Sequence, residues 1–251
     1  MHIFSIIFYQ PIYNALIWLY DICNDFGIAI IIITLFVKFA LIPLSRKQIE
    51  SQKEMQDLQP KIKELQIKHK GDREKLSKET MALYKEHKVN PAAGCLPLII
   101  QMVIFITMYR VIVNLSSNND ITIHAETLYS FVAFPESINA FFLGFMDLTK
   151  PYAALAIVTA AAQFYQLKMM QTKNAKSTDI IVAKKKDENA DPDFASIMQK
   201  QMLFIVPIMT LFIGLKFPSG LSLYWLASTV FMIAQQWFIT HKEKRSPSLA
   251  K

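Results

Sequence analysis

The run from Gly27 to Leu44, GIAIIIITLFVKFALIPL, carries one charge, Lys38, in a stretch otherwise apolar and nearly long enough for a bilayer crossing. A buried helix of a large soluble domain can be equally apolar, and the 53% hydrophobic content of this 251-residue chain does not separate the two cases. Distribution separates them. A second run, Leu96 to Val113, contains only Arg110 as a charge, and most other charges fall between such runs. This is the pattern of an all-α, polytopic membrane protein.

At about 20 residues per crossing, spans are expected at 24–44, 95–114, 151–170, 201–216 and 221–240. The last two are separated by Lys216-Phe217-Pro218-Ser219-Gly220, whose Pro and Gly suit a sharp outer turn at 217–220. Loop charge orients the chain. Of 27 Lys and Arg, residues 45–94 carry twelve, 168–200 seven and the tail after His241 four. Those segments are expected in the cytoplasm, with the N-terminus outside and a basic cytoplasmic tail at 241–251. The net charge of +7 then describes one face of a membrane rather than a nucleic-acid site.

Residues 3 to 20 are apolar and aromatic but interrupted by Ser5, Gln10, Pro11 and Asn14. They suit an outer interfacial helix within 1–23, with a sixth span as the alternative. No Lys or Arg precedes Lys38, so neither a positively charged signal nor an Arg-rich transit peptide is expected, and the start reads as bacterial and uncleaved. Cys23 and Cys95 are expected on opposite sides of the membrane, which argues against a disulfide, and no cofactor or metal cluster is indicated.

Between Ser45 and Asn90, Met55, Leu58, Ile62 and Leu65 recur at helical spacing, Gly71-Asp72 interrupts, and Leu76 and Leu83 resume the stripe. A charged helical hairpin with a narrow apolar seam is expected over 45–94. Residues 171–200, with Lys184-Lys185-Lys186 among acids, are expected to form a mobile cytoplasmic loop. The outer loop, 115–150, holds two apolar pieces, Leu128 to Phe134 and Ile138 to Met146, expected at the outer membrane surface.

Lys38 is the most informative residue. Six residues before Leu44, it lies about 9 Å from the cytoplasmic end of a helix rising 1.5 Å per residue. An ammonium at mid-bilayer costs about 2.5 to 3.5 kcal/mol on insertion scales. One reading has it snorkel to the inner headgroups. The other places it in a wet cavity shared with Gln101, Gln163, Gln166, Ser228 and Gln235, each individually explicable as interhelical glue. No acidic residue lies within an expected span to pair with it. Arg110, near the outer end of its span, reads as structural. No histidine falls within a span, and no phosphate loop or metalloprotease helix occurs, so no enzyme is expected.

Asn90-Pro-Ala-Ala-Gly-Cys-Leu-Pro-Leu-Ile-Ile-Gln101-Met resembles the entrance to the second conserved span of the YidC/Oxa/Alb membrane insertases. Phe217-Pro-Ser-Gly-Leu-Ser-Leu-Tyr-Trp225-Leu resembles the start of their last span, and 32–44, 58–65 and 79–84 agree in the same order. The resemblance implies five transmembrane helices around an inner-leaflet hydrophilic groove, with Lys38 as the groove cation and Gln166 and Trp225 at matching positions. It implies an insertase and chaperone for nascent membrane proteins. Expected partners are those clients, membrane lipids, the Sec translocon, and the ribosome through Lys242, Lys244 and Arg245, a cluster equally explained as a membrane anchor. Where relatives often have arginine the chain has Lys38, and Val103 stands where they often have proline. No large outer domain is expected. A channel or transporter using the same polar residues is the rival class, but it leaves the charged hairpin unexplained.

Overall fold

The computed structural model describes residues 4–69, 71–90, 96–115, 127–132, 138–182 and 194–245. Cys95 and the Pro91-Ala92-Ala93-Gly94 motif, most of the first apolar piece's surroundings at 116–126 and 133–137, the Lys184-Lys185-Lys186 run, and tail residues 246–251 lie outside the described residues.

Among the described residues the chain is helical apart from one small hairpin. A π-helical turn, Ser5–Tyr9, leads into α1 (Gln10–Cys23), whose second residue, Pro11, needs no backbone donor at a helix start. Asn24 ends α1 in the left-handed conformation, φ 53°, its N–H donating to Tyr20 O at 2.8 Å. Asp25 then caps the next helix, accepting from the Ile28 N–H at 3.0 Å. These two residues turn the chain so that α2 (Phe26–Ala40) packs on α1, with the Tyr20 and Phe26 rings 6.4 Å apart.

The helical run over 24–44 is interrupted at Leu41. α2 ends at Ala40 and α3 (Ile42–Asp57) follows Leu41. Pro43 accounts for it, because its ring clashes with the carbonyl four residues back and it offers no N–H. The remaining elements are α4 (Gln59–Lys68), α5 (Arg73–Glu86), α6 (Leu96–Leu115), β1 (Phe141–Phe142), β2 (Met146–Asp147), α7 (Ala153–Val182), α8 (Phe194–Lys216) and α9 (Ser219–Arg245). α7 continues beyond residue 170 to Val182, with no Gly or Pro to interrupt it. Among the described residues no single helix is long and apolar enough to cross a membrane. Phe26–Ala40 and Ile42–Ser51 meet that test together as a broken pair.

Two compact units result: Met1–Ala40, Met102–Leu167 and Leu203–Lys251 form the first, Leu41–Gln101 and Lys168–Met202 the second. The first is built around α2, which packs against both α1 and α9. Its core includes Leu16, Ile17, Phe26, Ile30, Met108, Val111, Leu221 and Tyr224. At Gly214 a Cβ would lie 2.7 Å from Ala156 Cβ, so its absence lets α8 approach α7. Ser219 N–H donates to Lys150 O at 2.9 Å and Gly220 N–H to Leu148 O at 3.1 Å, fastening the start of α9 to the turn that follows β2.

The second unit contains α4 and α5, which pack together around buried Leu58, Ile62 and Val89, with Met55, Leu83 and Tyr84 against them. Gly71, φ 97°, makes the reversal, and Asp72 caps α5 by accepting from the Lys75 N–H at 3.0 Å. His69, bonded to Glu79 at 2.8 Å, braces the two helices.

The hairpin β1–β2 was not expected in an all-helical chain. It pairs Phe141 with Asp147 and Phe142 with Met146 in antiparallel register. Three residues, Leu143 to Phe145, make the connection; Leu143 (φ 51°) and Gly144 (φ 77°) both take positive φ, and the Phe145 N–H donates to Phe142 O at 3.3 Å. A Leu-Gly pair is not the usual Asn-Gly or Asp-Gly signal, which is why the turn was hidden in the sequence.

Candidate functional site

Lys38 lies in the last turn of α2 and is 8% exposed. Its recess is lined by Ile33, Thr34 and Val37 of its own helix, Ile104 and Met108 of α6, Tyr224 of α9 and Ile12 of α1. The Thr34 hydroxyl donates back to Ile30 O at 2.6 Å, so most of what surrounds the lysine stem is aliphatic. The long side chain of Lys38 lies in this space against neighbours from three other helices. The amphipathic stem of lysine does the filling and carries the charge with it.

A second polar group lies on the adjoining face of α9. Gln163 of α7 accepts with Oε1 from Trp225 Nε1 at 2.9 Å and from the Thr229 hydroxyl at 3.2 Å. One turn further, Gln166 Nε2 donates to Met232 Sδ at 3.6 Å. Thr159, Gln163 and Gln166 on α7, and Ser222, Trp225, Thr229 and Met232 on α9, repeat at steps of three and four, which places each set on one helix face. Thr159 hydroxyl also reaches Ser222 O at 3.3 Å, so the two faces form one polar seam. The Gln166 Oε1 and Ser228 Oγ atoms are buried without a hydrogen-bond partner, leaving acceptor capacity in the seam. The Trp225 ring is held edge-on to Phe105 at 5.0 Å.

The structure therefore brings Gln163 and Trp225 into direct contact and sets Gln166 beside them. Consecutive positions of α9 serve the two groups, Tyr224 the Lys38 recess and Trp225 the seam. Gln101, half-buried on α6, belongs to the second compact unit. Thr229 and Met232 were missed from sequence, although their spacing from Trp225 (i+4 and i+7) marks the same face. Arg110 is exposed, its guanidinium 5.4 Å from the centre of the Phe4 ring. The side chains of Lys242, Lys244 and Arg245 lie outside the described residues. No group of three or more His, Cys, Asp or Glu able to hold a metal occurs among the described residues.

Helices that bury polar side chains against one another, while Phe36, Phe39, Ile205, Ile208, Phe212 and Phe238 stand exposed, define a mostly helical protein with an apolar exterior. The model of the 60Kd inner membrane protein family matches residues 18–246, and the chain belongs to that family. Proteins named membrane protein insertase YidC are similar to it. That of Wolinella succinogenes is 34% identical over 99% of this chain and 40% of its own length. Those of Geobacter sp. strain M21 and Syntrophus aciditrophicus strain SB are 37% and 38% identical, over 92% of this chain and 36% of theirs. The chain thus spans about two fifths of the length of these curated relatives. A crystal structure of an active YidC insertase with its first transmembrane domain resolved is similar at a TM-score of 0.56 and 26% identity, covering 92% of this chain and 45% of that one.

Proposed function

We propose that this protein is a membrane insertase and chaperone, and that Lys38 supplies a fixed positive charge to nascent membrane proteins entering the bilayer. The observation that carries this reading is the burial of Lys38 among α1, α2, α6 and α9 in a member of a family whose similar proteins are named insertases. In this reading five spans, at 24–44, 95–114, 151–170, 201–216 and 221–240, surround a groove open to the cytoplasm. The N-terminus is outside and the C-terminus inside the bacterial cytoplasmic membrane. Lys38, Gln101, Gln163, Gln166 and Trp225 contact the client.

The mechanism is physical. A polar or acidic portion of an incoming segment pays several kcal/mol to enter hydrocarbon unpaired. Beside a buried ammonium and amide groups with acceptor and donor capacity it keeps electrostatic partners halfway across, so the barrier falls. Transfer of the client's apolar helix into lipid then drives release. The α4–α5 hairpin receives the client or its partners, and the basic end of α9 meets the ribosome or anionic headgroups. The Sec translocon is a further partner.

The test is complementation of an insertase-depleted bacterium, following a short single-span client. Wild type and Lys38→Arg are expected to insert it, whereas Lys38→Ala and Lys38→Glu at equal protein levels fail. Rescue by every variant would remove Lys38 from the mechanism. Failure of well-expressed wild type, combined with solute flux in vesicles, would favour a transporter.

A further inference from the structure

The outer hairpin carries a pattern that insertion does not use. Along 141–146 the hairpin has two sides: Phe141, Leu143 and Phe145 are 45%, 59% and 64% exposed, with Gly144 also exposed between the last two, while Met146 is buried and Phe142 is half-buried. The inward side is firmly held. Phe142 lies over Gly27, where any Cβ would collide with its ring, and the Leu143 N–H donates to Asp25 Oδ2 at 2.8 Å. Asn139 N–H donates to the Tyr20 hydroxyl at 2.8 Å, and Leu148 N–H to Ala140 O at 3.0 Å. The hairpin is therefore a rigid projection fixed at the N-terminal end of α2.

Its outward side is chemically unsuited to water. Leu143 occupies a positive-φ turn position, where a side chain is sterically disfavoured and solvated turns use Gly or Asn. An exposed leucine there gains nothing from solvent, and two exposed phenylalanines flank it. Below the tip the character reverses to the Asp147–Lys150 ion pair, 2.9 Å, with Lys150 outward-facing. Apolar at the tip and charged at the base, it matches the gradient across a bilayer interface. Its height also fits, since Asp25, which holds the tip, begins the helix whose Phe36 and Phe39 form an exposed apolar flank.

We propose that the β1–β2 hairpin is a membrane anchor whose tip residues Phe141, Leu143 and Phe145 insert into the outer-leaflet interface. This rests on the reading of α2 as membrane-spanning. The anchor fixes the depth of the outer end of α2, and through it the depth at which Lys38 is presented.

The test uses the full chain with Cys23→Ser and Cys95→Ser, and one new cysteine at Leu143, Phe145, Phe36 or Lys78, nitroxide-labelled in phosphatidylethanolamine and phosphatidylglycerol vesicles. Collision with oxygen, which concentrates in lipid, is compared with collision with a water-soluble nickel chelate. The oxygen-to-nickel ratio is expected to be several-fold higher at Leu143→Cys and Phe145→Cys than at Lys78→Cys, and lower than at Phe36→Cys. A water-like ratio at both tip positions with a lipid-like ratio at Phe36→Cys would overturn the anchor while leaving the spanning reading intact. Shielding of both tip labels from oxygen and nickel would overturn it in favour of a protein partner. A water-like ratio at Phe36→Cys as well would overturn both. These side chains are exposed, so labelling leaves the core untouched.

Discussion

Gln163 uses its amide oxygen for two donors from α9, Trp225 and Thr229. Its replacement by Leu strands an indole N–H in a low-dielectric seam, and a loss of about 1 kcal/mol is expected in detergent unfolding. A cycle with Trp225→Phe should return a coupling near 0.6 kcal/mol, the usual scale between helices in a bilayer. Independence of the two substitutions would show that the bond carries no weight. Lys38 is a buried cation in a mostly aliphatic recess, and Lys38→Met, which removes the charge while keeping the length of the side chain, should lower client insertion with the fold retained. Loss of stability together with activity would make the lysine structural instead.

Among elements, the hairpin depends on a missing side chain. Gly27→Val drives a branched carbon into the Phe142 ring, and a destabilisation of about 1 to 3 kcal/mol is expected, with faster hydrogen exchange at the Leu143 amide as the readout. The hairpin base carries a pH dependence. Partial burial alone would push the Asp147 carboxyl up, but hydrogen bonds from Thr149 and Lys150, with the Lys150 charge, outweigh it and hold it below the ordinary 3.8. A folded value below the unfolded one stabilises fully above that ordinary value, and the stabilisation is lost as pH falls through the lowered one. The thermal midpoint of wild type should therefore exceed that of Asp147→Asn at neutral pH and approach it in acid. The α4–α5 pair depends on Leu58, Ile62 and Val89, and Ile62→Ala should cost about 2 to 4 kcal/mol of that unit's stability.

At the scale of the whole molecule, the two compact units differ in the size of their cores. Among the described residues the first buries many large side chains around α2, while the second buries Leu58, Ile62 and Val89 with their neighbours. Local opening follows buried apolar contact. Hydrogen exchange is expected to be faster over α4 and α5 than over α2 and the first half of α9, and equal rates would contradict the division.

Much of this was legible without coordinates. Apolar runs, confined basic charge and the spacing of Leu58 and Ile62 are local properties, additive along the chain, so they pointed to the helical class and the α4–α5 pair, while the family resemblance rested on the motifs around Gln101 and Trp225. Lys38, Gln163 and Gln166 could be singled out because polar side chains in apolar runs are costly wherever they point, and Trp225 because the resemblance implied it. Their partners could not. Gln163 meets Trp225 across a separation of 62 residues, and Leu143 meets Asp25 across 118. Such pairs depend on the path of the chain and on whether a glycine leaves room for a ring, neither of which hydropathy records. For the same reason the break at Leu41 was only implicit in Pro43, and the β1–β2 hairpin was invisible. The sequence by itself determined which segments are apolar and where the basic charge lies. Only the tertiary structure decided which polar groups meet and which apolar side chains stay outside, because those outcomes are set by packing between distant residues.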